Sequence, residues 1–173
     1  MTTKFLVPAL LAVMPLSGQG AEQGAKFPIP QPLVAEHEAL HESLGRAVKE
    51  PGALGAAARR VEEVLHPHFQ REEEIALPPL ALLPRLARGE VSPDMADVLR
   101  MTDQLQAELP QMLAEHRKVV TALEALRKAA DAAGRPEYVE FAEELMLHAQ
   151  NEEQVLYPAA LLVGRYVKLK LNR

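Results

Sequence analysis

The chain has 173 residues, 48% of them hydrophobic and 25% charged, with a formal net charge of -5 and no cysteine. That is enough apolar material for one domain with its own core, and it excludes an intrinsically disordered chain. The modest negative charge leaves no basic footprint for nucleic acid. Without cysteine there is no disulfide scaffold, thiolate zinc site or iron–sulfur cluster, so any metal must sit on nitrogen and oxygen.

The apolar residues are 27 Ala and 27 Leu against 14 Val and 2 Ile, a balance that favours helix over sheet. Residues 1–32 stand apart. Lys4 precedes an apolar run from Phe5 to Leu16, followed by the small and polar stretch Ser17 to Ala21. The run is too short to span a bilayer and has the form of a secretory signal core. It therefore predicts a periplasmic or secreted protein; a cytoplasmic protein with an N-terminal arm is the alternative. Pro28, Pro30 and Pro32 make the next segment an extended lead-in.

Helical periodicity then runs from Leu33 to Lys49, ended by Pro51-Gly52. A second helix is predicted from Ala53 to Leu77, kinked at Pro67 and closed by Pro78-Pro79, and a short apolar helix from Leu80 to Ala87 leads to Gly89. Ser92-Pro93-Asp94 signals the start of a third long helix, bent at Pro110 and reaching Ala132, with Gly134 as its left-handed cap. Pro136 opens the fourth, which Pro158 bends and which ends near Gly164, before a basic tail over 165–173. The expected fold is all-α: an up-down-up-down four-helix bundle over 33–164, with a short extra helix between its second and third members.

One pattern occurs twice. His68-Phe69-Gln70-Arg71-Glu72-Glu73 with Pro78, and His148-Ala149-Gln150-Asn151-Glu152-Glu153 with Pro158, share H-x3-E-E-x4-P at an offset of 80 residues. Upstream, Glu36-His37 and Glu115-His116 match at an offset of 79. Residues four apart share a helix face, so His68 with Glu72, and His148 with Glu152, each direct an imidazole and a carboxylate to one point. His37 and His116 would add one imidazole each, and His41, one turn after His37, a possible fifth. Such a set suits iron or manganese, with zinc possible, and two carboxylates able to bridge suggest two ions. Glu73 and Glu153 read as solvated or supporting carboxylates, Glu144 as a candidate acceptor for the free nitrogen of His148, and His66 as a bystander. Leu145 and Met112 read as core residues that can also line a dry ligand pocket. A rival carboxylate site, Glu38-x-x-His41 with Glu63-x-x-His66, ignores the repeat and leaves the duplicated motifs without a purpose.

These motifs, an EH start, HFxxEE, a second EH and HxxxEE followed by LYP, resemble those of the hemerythrin-like (HHE cation-binding) domains over residues 33 to 163. The resemblance implies a four-helix bundle with a non-haem di-iron centre, terminal ligands His37, His68, His116 and His148, and bridging Glu72 and Glu152. It implies binding or sensing of O2, or a similar small ligand, at an open iron position. Peroxide decomposition, nitric oxide reduction and iron handling are the alternatives in the same family, and a binding protein is favoured over an enzyme. Invertebrate-type hemerythrin places an HxxxH pair on its third helix, whereas here Met112 and Val120 flank His116 and the HxxxH is His37 with His41. If five histidines, two bridging carboxylates and an oxygen bridge fill the two octahedra, one position remains; without His41 there are two.

Overall fold

In the computed structural model the described residues are 27–172, and the Phe5 to Leu16 run lies outside them. The order is α1 (Gln31–Val48), α2 (Gly52–Ile75), α3 (Leu83–Ala87), α4 (Val98–Ala132), α5 (Pro136–Asn151) and α6 (Tyr157–Lys170). Short single-turn segments at Pro78–Leu82 and Pro93–Asp97 flank α3, and a widened turn at Glu152–Leu156 joins α5 to α6. No strand occurs among the described residues.

α1 packs on α2, α2 on α4, α4 on α5, and α5 back on α1. This closed ring is the four-helix bundle that the apolar periodicity predicted, with α6 continuing the fourth helix along α4. The loops between α1 and α2 and between α4 and α5 are short, as antiparallel neighbours require. At one, Gly52 has φ +66°; at the other, Gly134 has φ +65°, the left-handed cap. Arg135 ties the two loops together through a 2.6 Å bond to Glu50.

The boundaries differ from expectation where proline is concerned. α1 begins at Gln31 and accepts Pro32 in its first turn, where the missing N–H has no partner to lose. Pro67 and Pro110 lie inside helices that run on through them, as the sequence placed them. Ser92-Pro93-Asp94 opens a separate tight turn, and α4 starts at Val98. The helix expected to end near Gly164 runs on through the basic tail to Lys170, because Val163 and Val167 bury against Val98, Met95 and Leu82.

The core is layered along the bundle. One apolar cluster gathers Leu40, Leu65, Phe69, Val119, Phe141 and Leu145; a second gathers Ile75, Leu77, Leu105, Met112, Tyr157 and Ala160. Between them each of the four helices contributes polar residues. On α1 His37 lies between Leu33 and Leu40, on α2 His68 and Glu72 between Leu65 and Ile75, on α4 His116 between Met112 and Val119, and on the fourth helix His148 and Glu152 between Leu145 and Tyr157.

α6 lies close against α4 at Gly164, where an added Cβ would lie 2.2 Å from Thr102 Oγ1. Gly164→Ala should therefore force the helices apart and lower the unfolding free energy by about 1–3 kcal/mol, as overpacking does. Urea denaturation checks this; an unchanged midpoint would contradict the contact.

Candidate metal centre

His37, His68, Glu72, His116, His148 and Glu152 are at most 3% exposed, and with Thr102 they are all the buried polar or charged side chains among the described residues. Six ionisable groups inside an apolar bundle are costly unless something compensates them.

The compensation is half visible. Each imidazole is held from outside through Nδ1: His37 by Glu73 (3.2 Å), His68 by Glu115 (2.9 Å), His116 by Glu153 (2.9 Å) and His148 by Glu36 (2.9 Å). The duplicated words of the sequence thus pair reciprocally. The Glu of each EH holds the histidine of an H-x3-E-E, and the second Glu of each E-E holds the histidine of an EH. With Nδ1–H donated to a carboxylate, Nε2 carries a lone pair and faces inward, the arrangement that orients metal-binding histidines.

Inside, most of the inward-facing atoms go unanswered. His37 Nε2, His148 Nε2, Glu72 Oε2 and both carboxylate oxygens of Glu152 have no hydrogen-bond partner. They nonetheless crowd together: Glu152 Oε1 lies 3.0 Å from His148 Nε2 and 3.7 Å from His37 Nε2, Glu152 Oε2 is 3.3 Å from His116 Nε2, and His68 Nε2 is 3.3 Å from Glu72 Oε1. Acceptors converging without donors are the mark of a cation site. Two sets have ligand atoms all within 4.8 Å of one another: His68, Glu72, His116 and Glu152, and His37, His148 and Glu152. Glu152 belongs to both, and Glu72 Oε2 faces the second set from 3.9 Å off His37 Nε2.

The electrostatics agree. Burial would depress the pKa of His68 and His148, but Glu72 beside His68 and Glu152 beside His148, backed by the outer Glu115 and Glu36, overturn this and raise each to about 9. His37 is raised too, burial again being outweighed by Glu152, Glu72 and Glu73. Burial and the charge of Glu152 push Glu72 up, whereas Glu152 is held low against its own burial by the three histidines around it. Without a cation the cluster recruits protons instead.

His41 is not brought into either set. It is exposed, and its ring meets the edge of Phe69 at 5.1 Å, while Phe69 stacks on His37 at 4.1 Å. The buried Phe69 thus stands between His41 and the centre, and His41 turns instead toward His66, 6.2 Å away. Glu38 and Glu63 are exposed as well, so the rival E-x-x-H site does not assemble. Glu144 is exposed; Glu36 takes the acceptor role that Glu144 was expected to fill.

Tyr157 escaped the sequence reading as a site residue. Its buried hydroxyl donates to Glu72 Oε1 and lies 3.2 Å from His116 Nε2 and 3.4 Å from His68 Nε2. Burial, then the charges of Glu72 and Glu152, push its pKa far up, so without a cation it is a phenol. The LYP triplet was the available signal. The backbone explains the placement: Pro158 has no N–H, the turn before it widens, and the Tyr157 N–H reaches Glu152 O five residues back. The other half repeats this, with Leu77 N–H bonding Glu72 O at 2.9 Å before Pro78.

A family model for the hemerythrin HHE cation-binding domain matches residues 29–160. The chain belongs to that family. Comparison with curated proteins and with solved structures gives no match. Family membership and geometry agree on a cation-binding centre between the four helices of the bundle. No described helix of this hemerythrin-domain chain is long and apolar enough to cross a membrane.

The raised histidines set a pH dependence for the metal-free protein. Their folded pKa of about 9 exceeds the ordinary 6.5, so the stability they contribute is fully present below about pH 6.5 and lost as pH rises through 9. Urea midpoints of chelator-treated protein should fall between pH 6.5 and 9.5. A midpoint that rises over that interval would contradict the assignment.

Proposed function

We propose that this protein is a di-iron protein that binds or senses O2 at an open iron position. The observation that carries the reading is the buried pair of ligand sets sharing Glu152, with five unpartnered acceptor atoms turned toward their common centre. Imidazole and carboxylate without sulfur match iron in preference to softer-ligand metals. His68 and His116 would hold one ion and His37 and His148 the other, with Glu72 and Glu152 offering carboxylate oxygens to both.

The iron pair, once bound, supplies the redox chemistry and the vacant coordination that O2 requires. The chain supplies the rest. Glu36, Glu73, Glu115 and Glu153 fix the tautomer and orientation of the four imidazoles through Nδ1. Phe69, Leu77, Met112 and Leu145, each about 1% exposed, belong to the two apolar clusters that close the polar layer from either side. That closure excludes bulk water and slows loss of a bound ligand by proton-assisted routes.

Exposure to O2 tests the proposal, with three distinguishable outcomes. Reduced, iron-loaded protein exposed to O2 should develop a visible absorption band that disappears on deoxygenation and returns over repeated cycles. Rapid peroxide or nitric oxide turnover without a reversible band would assign the centre to an enzyme, and bleaching with release of iron would assign it to iron handling.

Removing the shared carboxylate should be the most damaging single change. Glu152→Ala is expected to lose at least one of the two ions, and at free iron 1,000-fold above Kd the loss of binding removes about 4 kcal/mol of ligand-linked stability. Glu73→Ala, which releases only the outer face of His37, should keep both ions with affinity weakened roughly 10–100-fold. Iron content by elemental analysis and thermal melts decide; Glu152→Ala that retains two ions would overturn the bridge.

A further inference from the structure

The two halves of the bundle share the motif histidines, glutamates and proline, and they differ at a position that adjoins the site. Counting from the repeat, Leu77 in the first half corresponds to Tyr157 in the second. Each residue follows a widened turn whose N–H returns to the carbonyl of Glu72 or Glu152, so the backbone delivers both side chains to equivalent places. Both are 1% exposed. One half therefore places a hydrocarbon beside the centre and the other a phenol.

The phenol lies on one ligand set only. Its oxygen is within 3.4 Å of His68 Nε2 and His116 Nε2, and its single proton is committed to Glu72 Oε1. Once the Nδ1 bonds to Glu115 and Glu153 hold the rings and a cation has displaced the proton that His68 carries in the metal-free chain, both Nε2 atoms present lone pairs to that oxygen. Three electron-rich atoms from α2, α4 and α6, with Glu72 as a fourth, then surround one point with no donor among them after the phenol proton is gone. That is a coordination sphere and not a hydrogen-bond network.

Resting on the iron reading above, we infer that Tyr157 is itself an iron ligand, closing the position held by His68 and His116 and leaving the position held by His37 and His148 as the one that takes a small ligand. On binding, the phenol O–H bond breaks, an oxygen–iron bond forms, the proton is released to solvent, and no electron is transferred. Tyr157 fills the fifth terminal place that five histidines would have filled, so that one position stays open although His41 lies outside.

The surroundings of the two sets differ as well. A groove of about 540 Å³ between α1 and α5, lined by Glu36, Ala39, Leu40, Ser43, Glu144 and Leu147, reaches the outer edge of His148, whose Nδ1 bonds Glu36. On the opposite set the ring of Tyr157 stacks against His116 at 5.7 Å and stands where an incoming ligand would have to sit.

The test is resonance Raman and visible absorption of iron(III)-loaded protein, with iron content measured on the same sample. Wild-type protein with two ions should show a phenolate-to-iron(III) band whose ring modes shift when tyrosine is ring-deuterated. Tyr157→Phe should keep two ions and lose the band, while Tyr138→Phe and Tyr166→Phe keep it. Two ions without phenolate modes in the wild type, or a band that survives Tyr157→Phe, would overturn the inference and leave the iron reading intact. Absence of two ions from the wild type would instead overturn the iron reading. Should Tyr157→Phe not fold, loss of the band from neither Tyr138→Phe nor Tyr166→Phe still assigns it to Tyr157, and its loss from either refutes the assignment.

Discussion

Everything in this molecule is arranged around a carboxylate that should not be where it is. Glu152 is 1% exposed, sits midway between two apolar layers, and has neither oxygen hydrogen-bonded. An ionised group so placed costs several kcal/mol unless an opposite charge accompanies it. Three imidazoles surround it, and the four outer glutamates make the site more negative. The arrangement is stable only with positive charge at its centre, supplied by protons on His68 and His148 in the metal-free chain and by cations in the loaded one. A bundle this rich in Leu and Ala has apolar surface to spare for such a layer, with complete hydrophobic clusters above and below it.

The four-helix ring gives that charge its geometry. Each wall presents its ligands at the same height because all four helices pass through one polar layer, and the layer is fixed from outside by glutamates at the surface. Nδ1 bonds of 2.9–3.2 Å mean that the imidazoles are oriented before any metal arrives. The widened turn at Glu152–Leu156 belongs to the same scheme. It lets the fourth helix present Glu152 and then Tyr157, five residues later, to one interior region, a spacing that a regular α-helix would rotate well past.

Much of this was legible in the residues. The apolar periodicity, the Gly134 cap and the short loops give the bundle, and the duplicated H-x3-E-E-x4-P with its upstream EH pairs identifies the six side chains that the structure buries together. Three features were not legible. That Phe69 separates His41 from the centre depends on how α1 and α2 pack, since helical register alone puts His41 on the same face as His37. The outer roles of Glu36 and Glu115 depend on which helices are neighbours, and a pattern read along one helix suggested Glu144 instead. Tyr157 lies nine residues after His148, and a straight helix places it on a different face. Proline set one remaining error of boundary: a missing N–H is tolerated in a first turn, so α1 begins before Pro32 and not after it.

The central claim is that Glu152 is shared by two iron ions. The most direct measurement is a crystal structure of the iron-loaded protein with anomalous diffraction recorded on both sides of the iron edge. The account predicts two iron peaks, one against His68 and His116 and one against His37 and His148, with Glu152 reaching both. A single peak, or peaks whose edge identifies zinc, would contradict it.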